Sequence, residues 1–424
     1  MNHSVYSKYK PSGVDWLGDV PKHWEIKKLK WAYRSIGSGD GISPNDIEPI
    51  GEYPVYGGNG IMGYTENFNA EGDDIIIGRV GAKCGNVYLI SGKKWISDNA
   101  LRLDIDKCDK RYLFQFLMAR NLNQLANQNA QPLITGSMVG NQFIPFPPHP
   151  EQRVIADFLD RRTGEIDDLI AKKERVIELL REKRAAIISH AVTKGLNPDA
   201  KMKDSGIDWL GDVPEHWEVM PLKRWVKIKI TDGPHETPNL IDDGIPFVSA
   251  EAVRDGKINF DAIRGYISHD LHKQYIKKCY PRKNDIFMIK SGATTGNLAL
   301  VDTDCEFSIW SPLALIRANE KKILPKYLFL SLHADYVQNQ VQTLWSFGTQ
   351  QNIGMGIIER LYVIAPSVKE QYIIVGHLDR ETSKIDELIA KVTEAIERLK
   401  EYRTALISAA VVGKIDVREE GGKQ

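Results

Sequence analysis

Two stretches of the chain carry apolar residues at a seven-residue spacing sustained long enough to specify coiled-coil helices. In the later stretch Ile385, Val392, Leu399 and Leu406 recur every seven residues, with Leu388 or Ile389, Ala395 or Ile396, and Tyr402 filling the positions between. The earlier stretch matches with Ile166, Lys173, Leu180 and Ile187. One lysine interrupts that stripe, and a polar seam residue tends to fix register rather than add stability. Each stretch opens on Glu-Gln just after prolines, in FPPHPEQ and IAPSVKEQ, and prolines commonly precede a helix start. A helix over 165–192 would extend roughly 40 Å at 1.5 Å per residue.

Elsewhere short apolar runs broken by glycine predict strands and turns. Residues 74–86 (DIIIGRVGAKCGN) and 285–297 (DIFMIKSGATTGN) each read as a strand entering a turn that carries Gly81/Gly85 or Gly292/Gly296. A helix follows in each case, DKRYLFQFLMAR and LPKYLFLSLHAD, aligning Tyr112-Leu113-Phe114 with Tyr327-Leu328-Phe329. Later come the polar turns TGSMVGNQ and FGTQQN.

The chain is written twice. Residues 12–30 (SGVDWLGDVPKHWEIKKLK) and 205–223 (SGIDWLGDVPEHWEVMPLK) are identical at fourteen of nineteen positions. The Glu-Gln helices repeat as well, but at an offset of 219 residues rather than 193, so the segment between box and helix is 26 residues longer in the second copy. Matching ends with diverged middles suggest one scaffold carrying two different variable modules. The expected fold class is α+β: two mixed α/β domains separated by two long helices packed as an antiparallel coiled coil, related by a pseudo-twofold internal repeat. The expected segments are 1–150, a box with the first variable domain; 151–197, the first long helix; 198–368, the second box and domain; 369–416, the second helix; and 417–424, a charged tail.

Composition narrows the class. The 424 residues are 42% hydrophobic and 26% charged, normal for a globular chain of two or three domains. No apolar run approaches the ~18 residues of a membrane span, and the polar start MNHSVYSKYK has no apolar segment behind it. The expected location is cytoplasmic. Cys84, Cys108, Cys279 and Cys305 form no CxxC pair, which argues against zinc ribbons and disulfide frameworks. Net charge is zero, whereas a nucleic-acid binder usually shows a basic excess. The second variable segment is nevertheless locally basic, with Arg254, Lys257, Arg264, Lys273, Lys277, Lys278, Arg282, Lys283 and Lys290.

Catalytic motifs are missing. Gly58-Asn59-Gly60-Ile61-Met62-Gly63 fits GxGxxG, but YTENFNAEGDD follows, and that pattern needs a helix starting there to meet a pyrophosphate. There is no GxxxxGK[ST] and no Asn/Asp-Pro-Pro-aromatic motif; Asn197-Pro198 runs on to Asp199. Pro198-Asp199 lies just before the second box and Asp255-Gly256-Lys257 in the variable segment beyond it, so they do not make a nuclease set. His269 and His272 sit at an expected solvated helix start without further ligands at metal-site spacing. No metal site and no catalytic residue is expected.

The duplicated WLGDVPxHWE box, the Glu-Gln helices and the paired divergent segments together resemble the specificity subunits of type I restriction–modification enzymes over nearly the whole chain. That resemblance implies two target-recognition domains, each reading one half of an asymmetric bipartite double-stranded DNA site, with the helices docking the methylation subunits, two of them expected. Those subunits in turn support the restriction motor–nuclease subunits. S-adenosylmethionine, ATP and Mg²⁺ would then belong to the partners, and the chain itself would be non-catalytic. Resemblance and residue chemistry together nominate DNA contacts on the polar turns. In the first reader they are Tyr56, Asn59, Arg79, Lys83, Asn86, Ser137 and Asn141. In the second they are His235, Ser249, Lys290, Thr294, Thr295, Thr349, Gln350 and Gln351. A competing reading is a coiled-coil scaffold that assembles partners without DNA readout. A self-sufficient methyltransferase fails on the missing motifs.

Overall fold

The computed structural model describes residues 4–420 apart from 82, 127–131, 208–209, 345 and 348–350. Its helices are α1 (Lys110–Arg120), α2 (Gly136–Gly140), α3 (His149–Lys194), α4 (His269–Tyr275), α5 (Pro325–His333), α6 (Asp335–Leu344), α7 (Met355–Ile358) and α8 (Val368–Val411). Two compact units result, Met1–Arg175 with Val392–Gln424, and Val176–Lys391. The division falls across both long helices rather than between the repeats. Each unit therefore holds the start of one long helix and the end of the other, and the expected segments 151–197 and 369–416 are shared.

The first unit is built on a four-stranded antiparallel sheet in the order Tyr33–Ser38, Ala100–Ile105, Asp74–Gly78, Val87–Ile90. A smaller sheet places Tyr53–Gly57 between Gly60–Thr65 and the parallel Trp95–Ile96. The second unit repeats the order with Thr231–Asp232, Leu313–Ile316, Ile286–Ile289, Leu298–Leu300, and its smaller sheet places Ile245–Val248 between Gly265–Ile267 and the parallel Ser308–Ile309. The all-apolar central strands Ile75–Ile77 and Ile286–Ile289 are fully buried, as strands covered on both faces must be.

In each unit the two helix segments run antiparallel. In the first, Ile155, Phe158, Leu159 and Ile166 share a core with Leu406, Ile407, Ala410 and Val411, and Arg403 grips Asp167 through two hydrogen bonds of 2.9 and 3.1 Å. In the second, Ile188, Ala191 and Val192 share a core with Ile374 and Leu378, and Arg184 reaches Asp386 at 3.0 Å. Asp386 is the repeat counterpart of Asp167, and Arg403 that of Arg184. Each unit thus carries the same contact with the copies exchanged. Along the seam Ile166, Ile385 and Leu406 are buried, and Lys173, Leu180, Ile187, Val392 and Leu399 are half-buried. Ile389 and Ile396 take the intervening positions, leaving Leu388 exposed. Tyr402 is also exposed; Arg403, in register with Ile389 and Ile396, takes the intervening place and pairs with Asp167.

The Glu-Gln pair that opens each helix is a hub. Glu151 is buried and accepts from the Tyr6 hydroxyl at 2.8 Å and the Trp24 indole at 3.1 Å, with His23 Nε2 at 2.8 Å. Glu370 holds His216 and Trp217 in the same way. This explains the His-Trp pair of the repeated box. The neighbouring glutamine binds mainly main chain around α1 or α5, with the Cys108 thiol also donating to Gln152 at 3.2 Å. Gln152 accepts from Asp109 N–H and donates to Pro147 O; Gln371 accepts from Leu324 N–H and donates to Lys322 O and Pro366 O. The aligned tyrosines cross over between copies: the Tyr112 hydroxyl reaches the carbonyls of Pro145 and Val411, and that of Tyr327 reaches those of Ile364 and Val192.

The two hubs differ in strength. Glu151→Ala strands the Trp24 indole and the Tyr6 hydroxyl in the core, at about 1–3 kcal/mol each. Its expected cost is about 2–6 kcal/mol, whereas Glu370→Ala, at a carboxylate 32% exposed and with no tyrosine partner among the described residues, should cost about 1–2 kcal/mol. Urea unfolding of both variants tests this, and equal losses would contradict it.

Candidate nucleic-acid interface

In the first unit the strand ends gather one set of turns. The hairpin Gly57–Gly60 presses on the end of the Asp74–Gly78 strand. A Cβ at Gly78 would lie 2.3 Å from the Gly58 carbonyl oxygen, and one at Gly58 3.0 Å from that of Asn99. Only glycine permits that approach. Tyr56, Asn59, Arg79, Lys83 and Asn86 are thereby brought together, Asn59 and Lys83 exposed and the others half-buried. Arg79 donates to the Asp98 carbonyl at 3.4 Å and has no carboxylate partner among the described residues. Ser137 and Asn141 do not join them. Ser137 lies on α2 and Asn141 is its C-cap; α2 packs along the edge strand Tyr33–Ser38, where Cβ atoms on Gly136 and Gly140 would meet Ile36 and Tyr33. TGSMVGNQ is thus mostly this one-turn helix, capped by the Thr135 hydroxyl, rather than a free polar turn.

The second unit has the same turn in the same place. Arg79 receives the Ile134 N–H on its carbonyl, and Lys290 receives that of Ile353; Gly81 N–H donates to Pro132 O, and Gly292 N–H to Gln351 O. Lys290 thus stands where Arg79 does, Thr294 where Lys83 does, and Thr295 where Cys84 does. Gly81, Gly85, Gly292 and Gly296 all have positive φ, which keeps the turn alike while its side chains change. The counterpart of α2 is α7, not the FGTQQN hairpin. Thr349 and Gln350 lie outside the described residues.

Several second-reader candidates are engaged internally. Ser249 is buried and donates to Glu251, so its hydroxyl is not offered to solvent. Thr295 is buried and donates to Gly292 O and Gln351 O at 2.8 and 3.2 Å, closing the turn. Lys290 pairs at 2.6 Å with Asp232, and His235 lies 3.2 Å from the same carboxylate. Thr294 is exposed and Gln351 half-buried. His272 is a buried side chain bonded through Nδ1 to Ser308 at 2.9 Å, not a solvated helix start, because α4 packs its inner face on the smaller sheet. Sequence reasoning missed three neighbours. Ile61 is exposed opposite Tyr56, and Tyr88 touches Asn86 at 3.5 Å; both are apolar positions that strand alternation could have placed. Asp232 carries no local signal, since its partners Lys278 and Lys290 are 46 and 58 residues away.

Much of the local basic excess is paired: Arg264 with Glu251, Lys273 with Asp270, Lys283 with Asp304, and Lys278 and Lys290 with Asp232. Among the described residues no cluster of three His, Cys, Asp or Glu side chains could hold a metal, and no helix is long and apolar enough to cross a membrane.

The family model for the type I restriction modification DNA specificity domain matches this chain twice, at residues 21–179 and 214–398. The chain belongs to that family. It is 24% identical over 417 residues to the type I restriction enzyme MjaVIII specificity subunit of Methanocaldococcus jannaschii, covering 94% of each chain. To the type I restriction enzyme EcoBI specificity subunit of Escherichia coli it is 24% identical over 355 residues, 81% of this chain and 74% of that one. A chain from a solved structure on complex assembly and conformational transition of the type I R-M system shares the fold, with a TM-score of 0.68 at 15% identity over 93% of this chain and 99% of that one. Each matched region of this specificity-family member spans one variable module and most of the long helix that follows it.

Proposed function

We propose that this chain is the non-catalytic DNA-reading subunit of a type I restriction–modification complex, each reader taking one half of an asymmetric bipartite site. The observation that carries this is the pair of equivalent turns: one backbone frame, held by the same glycines and carbonyls, presents Arg79 and Lys83 in one unit and Lys290 and Thr294 in the other. A frame kept constant while the side chains it carries differ is what two readers of different sequences require. The long helices dock the methylation subunits. Leu169 and Leu388 occupy the same place in the two copies and both are exposed, as suits two copies of one partner. S-adenosylmethionine, ATP and Mg²⁺ reside in the partner subunits, the motor–nuclease joins through the complex, and the assembly works in the cytoplasm.

The test is a reader exchange. Replacing roughly residues 30–147 by the matching segment of a relative should change one half of the methylated motif and leave the other half and the spacer intact, read by methylation-aware sequencing of cells carrying the full operon. A swap that alters both halves, or neither, refutes independent readers.

A further inference from the structure

Beside Lys290 the second reader carries a buried carboxylate, whereas no described carboxylate pairs with Arg79 at the equivalent turn of the first. Asp232 is 1% exposed. Its Oδ1 accepts from Lys278 Nζ at 2.6 Å, its Oδ2 accepts from Lys290 Nζ at 2.6 Å, and His235 Nε2 lies 3.2 Å from Oδ2. Lys278 donates again to the Gly233 carbonyl at 2.9 Å. Burial pushes the Asp232 carboxyl up, but the two lysine bonds outweigh it and hold it below the usual carboxylate range. One carboxylate between two ammonium groups leaves one positive charge over.

The chain brings this lysine in from outside the sheet. Lys278 follows α4, in the stretch between Gly265–Ile267 and Ile286–Ile289; the matching gap in the first reader, between Gly60–Thr65 and Asp74–Gly78, has no helix. The Lys278 side chain is 49% exposed and that of Lys290 only 12%. Lys278 is therefore the member that meets solvent, with one of its three N–H donors uncommitted. A single fixed donor suits one phosphate oxygen. Reading guanine calls for two parallel bonds to its base edge.

We propose that Asp232 is a positioning residue that holds Lys278 beside the reading turn as the second reader's clamp for one DNA backbone phosphate, an inference that rests on the DNA-reading function proposed above. The clamp sets the register of the second half-site and carries no base information itself.

The test uses the complex assembled with its methylation subunits, and measures binding of the cognate duplex, and of one with its second half-site scrambled, across a salt series. Lys278→Met should weaken cognate binding roughly tenfold, the worth of one charged hydrogen bond, and lower the salt slope by about one. The methylated motif should stay the same. A neutral methylphosphonate walked through the second half-site should at one position weaken the wild type equally and abolish the difference from Lys278→Met. Asp232→Asn is the sharper arm. Removing a negative charge beside two lysines should raise DNA affinity if only summed charge matters, and lower it if Lys278 loses its place. Should Asp232→Asn not fold, the Lys278→Met salt slope and the methylphosphonate walk decide alone. Wild-type complex that cannot tell cognate from scrambled DNA overturns the reading function itself. Discriminating wild type with an unchanged Lys278→Met slope, or a tighter-binding Asp232→Asn, overturns the clamp.

Discussion

A fragment ending at Gly195 is expected to fold only as a homodimer and to direct methylation of a palindromic site built from the first half-site. The first unit takes Leu406, Ile407, Ala410, Val411, Val412 and Val417 into its core from the second long helix and the residues after it. At about 1.5–3 kcal/mol for each large side chain, losing them removes roughly as much as the whole stability of an ordinary domain. A second copy of the fragment can supply nearly all of it. Ile187, Ile188, Ala191, Val192 and Thr193 are the repeat counterparts of 406, 407, 410, 411 and 412, and Arg184 is that of Arg403. The Tyr112 hydroxyl would find Val192 O in place of Val411 O. Sedimentation gives the oligomeric state, and methylation-aware sequencing with the methylation subunits gives the motif. A stable, folded monomer would show that the exchanged helix ends are dispensable.

Insertion of one heptad in each long helix, after Lys172 and after Lys391, is expected to lengthen the unread spacer between the half-sites while leaving both half-sites unchanged. These positions are repeat counterparts, and α3 and α8 each pass from one unit into the other. Seven residues preserve the seam and add about 10 Å of helix at 1.5 Å per residue, or about three base pairs at ~3.4 Å each. The added length also turns one reader about the DNA by roughly 100°, given about 10.5 base pairs per turn, so activity should fall. Four-residue insertions add about 6 Å and shift the seam, and should cost more stability for each ångström gained. Genome-wide mapping of the methylated motif decides. An active heptad variant that kept the original spacer would leave the helices as docking surfaces only.

The repeat and its heptads made the frame legible, because identical boxes and a seven-residue stripe are local patterns. Ile166, Ile385 and Leu406 lie on the seam as their spacing requires. Tyr402 does not: the intervening stripe runs Ile389, Ile396 and Arg403, and the sequence pattern leaves each of those places open between two adjacent residues or fills it with the more apolar neighbour. The turn of residues 79–86 was visible from its glycines. Ser249 and Thr295 were not legible as internal groups: a hydroxyl on a polar turn looks the same in sequence whether it faces solvent or closes the turn. The crossing of Tyr112 onto Val411 and Tyr327 onto Val192 was also hidden. An alignment of repeats shows which residues correspond, but not which copy packs against which.

The fixed frame holds each variable module largely through main-chain atoms. Tyr112 and Tyr327 end on four carbonyls, and Gln152 and Gln371 grip N–H and carbonyl groups around α1 and α5. Every polypeptide offers those groups, whatever its side chains. An incoming module therefore needs, in one helix, a tyrosine in the right turn, a basic residue beside it to meet Asp160 or Asp379, and an apolar face for the shared core. Recombination between lineages can then move whole modules, and point mutation can roam over their exposed turns, without the seat having to co-evolve. The near-identity of the boxes beside such divergent middles is the trace that this standard fitting leaves in a genome.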